Sequence, residues 1–132
     1  MDNGFCEDPC TRSSSLLGSK TEGVKFDQGK DRMDLIPPEV MFSLARILSF
    51  GASKYGDRNW EKGMSWGRCF GALMRHMWAW WGGKGPTNES FLLGSLDGET
   101  GFSHLWHALA CLAFLVVYEA RGMNQHDDRF QG

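Results

Sequence analysis

The chain's chemistry is concentrated in Leu96-Asp97-Gly98-Glu99-Thr100-Gly101-Phe102-Ser103-His104-Leu105-Trp106-His107. Two carboxylates sit on a short loop whose glycines allow a tight turn, so Asp97 and Glu99 can aim at one point. His104 and His107 are three apart, and a helix sets both on one face beside that loop. Carboxylate oxygens and imidazoles converging at a helix start form a site for a divalent cation. His76, inside an upstream apolar segment, is on its own the kind of core histidine that is usually only hydrogen-bonded. The downstream cluster gives it weight as a ligand, and Glu89 is a further carboxylate on the intervening connection.

Three helices must position these groups. Pro37-Pro38 opens the first, since proline suits a first helical turn, and Glu39 complements the helix dipole. Val40, Met41, Leu44, Ile47 and Leu48 continue it with an amphipathic period to about Ala52. Ser65 caps a second helix over 66–81, whose Trp66, Phe70, Leu73, Met74, Met77, Trp78, Trp80 and Trp81 nearly surround it and suit a core or an interface. Ser103 caps the third, which runs to about Arg121 before Gly122. Its apolar run, Ala108 to Tyr118, is shorter than the roughly 20 residues a bilayer requires. On this helix His104, His107, Cys111 and Phe114 share a stripe.

The connections carry the remaining polar chemistry. Lys25, Lys30 and Arg32 crowd around Gly29, where closely spaced cations suit phosphate oxygens. Asp27, Asp31 and Asp34 among them fit an ordinary solvated charged loop equally well. Lys54-Tyr55-Gly56-Asp57-Arg58-Asn59-Trp60 is a turn-rich connector whose aromatic rings can stack a base and whose amide can read its edge. Trp60 serves equally as a loop anchor. Residues 82–102 form a long connection, a length usually functional or disordered.

Length and composition bound the rest. At 132 residues with 42% hydrophobic content the chain is expected to be one domain, 24–122, between a tail at 1–23 and another at 123–132. The fold class expected is an all-α small bundle of three to four main helices, completed by oligomerisation because so short a domain buries little surface alone. A net charge of −2 and a pI of about 6.0 disfavour a nucleic-acid-binding face. Cys69 and Cys111 fall in apolar helical patterns, whereas Cys6 and Cys10 lack the second pair a zinc knuckle needs. The acidic start lacks a secretory pattern, so a cytoplasmic location, no membrane partner and a reduced Cys6/Cys10 pair are expected. His126-Asp127 spells the dipeptide of the HD phosphohydrolases without their other ligands.

In order, Lys25-x-Asp27-x-Gly29-Lys30-x-Arg32, Leu35-x-Pro37-Pro38, Lys54-Tyr55-Gly56 with Asn59-Trp60, Arg75-His76, and Asp97-x-Glu99-x-Gly101-x-x-His104-x-x-His107 resemble a known family. It is the dATP/dGTP diphosphohydrolase domain of many bacteriophages, a relative of the all-α MazG-type pyrophosphohydrolases, with MazZ-like members. The resemblance spans about Lys25 to Arg121. It implies a metal-dependent homodimer or homotetramer that cleaves a deoxypurine triphosphate between its α- and β-phosphates. For MazZ-like members it implies dGTP as substrate, with dATP as a second candidate, and a place in 2-aminoadenine DNA synthesis in the host cytoplasm. The E-x-x-E and E-x-x-D helix motifs of MazG-type enzymes are absent, and Arg75-His76 and His104-x-x-His107 stand at the corresponding helices.

On this chain's own residues, Asp97, Glu99 and His104 are expected to hold Mg2+ or Mn2+, with His76 or Glu89 completing the shell. Glu99, His107 and Lys54 are the candidate catalytic residues, His107 as a general base or a positioning group. Lys25, Lys30, Arg32 and Lys54 neutralise phosphates, while Tyr55, Asn59, Trp60 and Arg75 complete the substrate contacts. Two alternatives stand beside this reading: a non-catalytic helical module with a structural metal, and a different metal phosphohydrolase.

Overall fold

A computed structural model describes residues 22–82 and 96–131, and the chain divides after Met33 into two compact units. The expected Cys6/Cys10 pair, most of the N-terminal tail and Glu89 lie outside the described residues. In the first unit a turn brings the Lys30 amide to the Asp27 carbonyl at 3.1 Å. The Asp27 carboxylate lies 3.7 Å from Lys25 and 3.8 Å from Lys30. Lys25, Lys30 and Arg32 are all exposed.

The second unit is helical, as expected, and no strand occurs among the described residues. Helix α1 spans Pro38–Tyr55, α2 spans Trp66–Trp81 and α3 spans His104–Ala120. Single 3-10 turns occur at Met33–Leu35, Asn59–Lys62 and Asn124–His126. The prolines do open α1, but it outlasts the expected end at Ala52 by a turn, and the Gly56 amide closes it on the Ala52 carbonyl at 2.8 Å. Ser65 and Ser103 cap the next two helices by accepting from the Arg68 and Leu105 amides, each at 3.2 Å. No described helix is long and apolar enough to cross a membrane.

Helix α3 is the central element, packed against both α1 and α2. The core sits where α2, α3 and the Asn59–Lys62 turn meet, around Trp66, Cys69 and the wholly buried Tyr118. The Trp60 ring stacks on Phe114 at 4.5 Å and 14°, and the Trp60 carbonyl accepts from the Tyr118 hydroxyl at 2.6 Å. Trp60 is therefore an anchor of its loop, whatever else it touches.

The chain beyond Gly122 returns to the start of α2. Asp128 accepts from the Gly67 amide at 2.6 Å and from the Ser65 hydroxyl, placing a carboxylate at the positive end of the helix. Gly63 makes this possible. Its φ is +91°, and a Cβ there would lie 2.5 Å from His126 Cδ2 and 2.7 Å from Met123 Cε.

Candidate active site

The loop before α3 is built around the Asp97 side chain. Its Oδ1 accepts the Glu99 amide at 3.1 Å, the Thr100 amide at 3.0 Å and the Thr100 hydroxyl at 3.1 Å. This is the habit of an aspartate that opens a turn. The Asp97 amide and carbonyl close the loop on the Phe102 carbonyl and Gly101 amide at 2.7 and 2.8 Å, with Gly101 at φ +71°. Burial alone would push the Asp97 carboxyl up, but the Thr100 and Glu99 hydrogen bonds and His107 outweigh it and hold it below its ordinary value.

Packing of α2 on α3 brings a third imidazole to the pair on α3. His76 lies over His107 with ring centres 4.6 Å apart and planes 14° from parallel, and its Nδ1 is 3.0 Å from His104 Nδ1. Ligand atoms of His76, Asp97 and His104 all lie within 4.8 Å of one another. Two donors about 2.1 Å from one ion, at right angles about it, stand about 3 Å apart, so the imidazole pair fits adjacent positions of a cation. The same distance is a hydrogen bond when one ring carries its proton there. His104 is 5% exposed, and its Nε2 has no partner among the described residues. Burial drives the His76 imidazole down to about 4, helped by the neighbouring rings, and burial also lowers His107, so both are neutral bases at pH 7.

Glu99 stands apart from this cluster. Its carboxylate is ion-paired with Lys54 of α1, and that contact holds the ammonium above its usual value. The pair belongs to a cleft of about 580 Å³, also lined by Tyr55, Asn59, Trp60 and His107. His107 is thus common to the cleft and to the imidazole stack. Cys111 lines the cleft as a thiol, burial pushing it up to about 11, so it is no nucleophile.

The second unit therefore assembles two groups. His76, Asp97, His104 and His107 form a compact cluster, and Lys54, Tyr55, Asn59, Trp60 and Glu99 share the adjoining cleft. Arg75 is exposed on α2 and does not line that cleft. Sequence reasoning passes over Thr100, whose hydroxyl touches both Asp97 and His107. The D-x-x-T spacing, which lets an aspartate cap the threonine amide, is the pattern that points to it.

Fold and site together define an all-α domain with a candidate metal centre beside an aromatic, cationic cleft. The chain belongs to the family described as dATP/dGTP diphosphohydrolase, N-terminal, which it matches over residues 20–129, past both ends of the motif-based span. A dATP/dGTP diphosphohydrolase of Salmonella phage PMBT28 is 37% identical over 93 residues, which are 70% of this chain. The chain covers 28% of that relative's length. No solved structure shows significant similarity to it.

Proposed function

We propose that this chain is a metal-dependent diphosphohydrolase that converts a purine deoxynucleoside triphosphate, dGTP or dATP, to the monophosphate and pyrophosphate in the host cytoplasm. The observation that carries the reading is the His76–Asp97–His104 cluster, joined through His107 to a cleft of about 580 Å³. Family membership supports the substrate class. Of the carboxylates expected to bind metal, Asp97 has the supporting geometry. Glu99, held by Lys54, is proposed to enter the shell only when substrate takes over that lysine. Glu89 remains a proposed ligand on sequence grounds.

When bound, a divalent cation supplies charge neutralisation at the α-phosphate and a more acidic water. Two imidazoles in three donors favour Mn2+ or Co2+ over Mg2+. His107, neutral and at the cleft wall, accepts the proton of the attacking water. The water oxygen bonds to the α-phosphorus, and the bond to the bridging oxygen breaks with its electron pair leaving on pyrophosphate. Lys54 neutralises phosphate charge as it exchanges Glu99 for the substrate, and Lys25, Lys30 and Arg32 are proposed to do the same. Asn59 offers both a donor and an acceptor to a purine edge. One face of Trp60 is already covered by Phe114, so Tyr55, 63% exposed beside the cleft, is the better stacking surface.

Incubation with each deoxynucleoside triphosphate and Mn2+, Co2+ or Mg2+, with products separated by chromatography, tests this. Purine monophosphate and pyrophosphate are expected in equal amounts. Release of orthophosphate would indicate a different phosphohydrolase, and unfolding on chelation without turnover a structural metal.

A further inference from the structure

We infer that Thr100 is a positioning residue: its hydroxyl, set between Asp97 and His107, holds His107 in the tautomer with the proton on Nε2 and leaves Nδ1 as its proton acceptor. A hydroxyl has one proton to give and two lone pairs to receive with. Three polar neighbours surround Thr100 Oγ1: the Phe102 amide at 3.2 Å, Asp97 Oδ1 at 3.1 Å and His107 Nε2 at 2.7 Å. The amide can only donate and the ionised carboxylate can only accept. Two proton arrangements remain.

If the hydroxyl gave its proton to His107 Nε2, Asp97 Oδ1 would face an oxygen lone pair at 3.1 Å. The same oxygen would face a nitrogen lone pair at 3.6 Å. Both contacts would be repulsive, beside an anion whose side chain is only 19% exposed. With the proton on Nε2, His107 donates to Thr100, Thr100 donates to Asp97, and the Phe102 amide fills the second lone pair. Every contact is then a donor facing an acceptor. Ring stacking on His76 fixes the plane of His107, so the ring protonation is what Thr100 is left to decide. A neutral imidazole carries a single ring proton, so a proton on Nε2 leaves Nδ1 with a free lone pair.

The catalytic consequence rests on the proposed reading of His107 as the base, whereas the tautomer does not, and the test separates them. Nitrogen-15 long-range correlation spectra of histidine-labelled protein in diamagnetic Mg2+ buffer report which ring nitrogen carries the proton. The wild type is expected to show His107 protonated on Nε2. Thr100→Val, which keeps the shape and removes the hydroxyl, is expected to shift His107 toward the Nδ1-protonated form and to lower kcat about tenfold or more with KM within about twofold. Thr100→Ser is expected to restore both. An Nδ1-protonated His107 in the wild type, or a Thr100→Val protein with unchanged spectrum and kcat, overturns the inference. A protein that hydrolyses no deoxynucleotide yet shows the Nε2 tautomer and its loss in Thr100→Val would refute the reaction and leave the positioning role standing.

Discussion

Glu99 is the residue at which binding and catalysis are hardest to tell apart by inspection, because it is tied to Lys54 on the opposite wall of the cleft. An exposed ion pair of this kind is screened by solvent and contributes little to stability, so Glu99→Gln should leave the helical circular dichroism intact. If the carboxylate joins the metal shell with substrate bound, kcat falls about a hundredfold or more. If it only restrains Lys54, KM alone changes, and steady-state kinetics separate the two. His76 carries a second prediction. Its folded value of about 4 lies below the unfolded value near 6.5, so between those pH values the unfolded chain binds the proton and the folded chain does not. Stability of the chelator-treated protein is full above about pH 6.5 and drains away as the pH falls toward 4. Urea titrations across that window should show a slope that His76→Gln flattens, and an equal slope in both proteins would refute this origin.

At the level of elements, what could be read ahead of the structure was what the chain holds close together. Asp97, His104 and His107 are joined by a seven-residue loop, 97–103, and a helical spacing, so local rules place them. His76 reaches them only because α2 packs on α3, and no spacing encodes that register. The prolines and serines at the helix starts act locally and were equally readable. Asp128 was not, since it caps α2 from sixty-one residues away through contacts with Gly67 and Ser65. The docking of that terminal segment yields a prediction of its own. Gly63→Ala forces a side chain into positive φ and into the His126 ring, and should cost about 2 kcal/mol in urea unfolding. Truncating His126 to Ala in the same protein should recover only the steric part. An unchanged midpoint in Gly63→Ala would mean that the terminal segment does not pack there in solution.

The whole molecule presents a surface that a small monomer does not normally carry. Phe42 is 69% exposed, Trp78 53%, Trp81 72%, Phe70 55% and Val116 60%. Single exposed apolar residues are ordinary, but so many on a chain of this size are the kind of surface that interfaces use. With α3 in the middle, α1 and α2 each bury a stripe against it, and Phe42, Phe70, Trp78 and Trp81 lie off those stripes. Each large aromatic ring can bury roughly 150–250 Å², so a handful supplies most of the roughly 800 Å² per partner of a standard interface. The homodimer or homotetramer that the family resemblance implies would find in these rings the apolar area it needs. Light scattering after size exclusion should give a mass at least twice the 14.8 kDa of one chain. Phe42→Glu, at a ring largely exposed in the single chain, should move that mass toward a single chain while the far-ultraviolet circular dichroism stays helical. If the wild type instead runs as a stable monomer at micromolar concentration, these rings serve some other partner, and the assembly proposed for this domain is wrong.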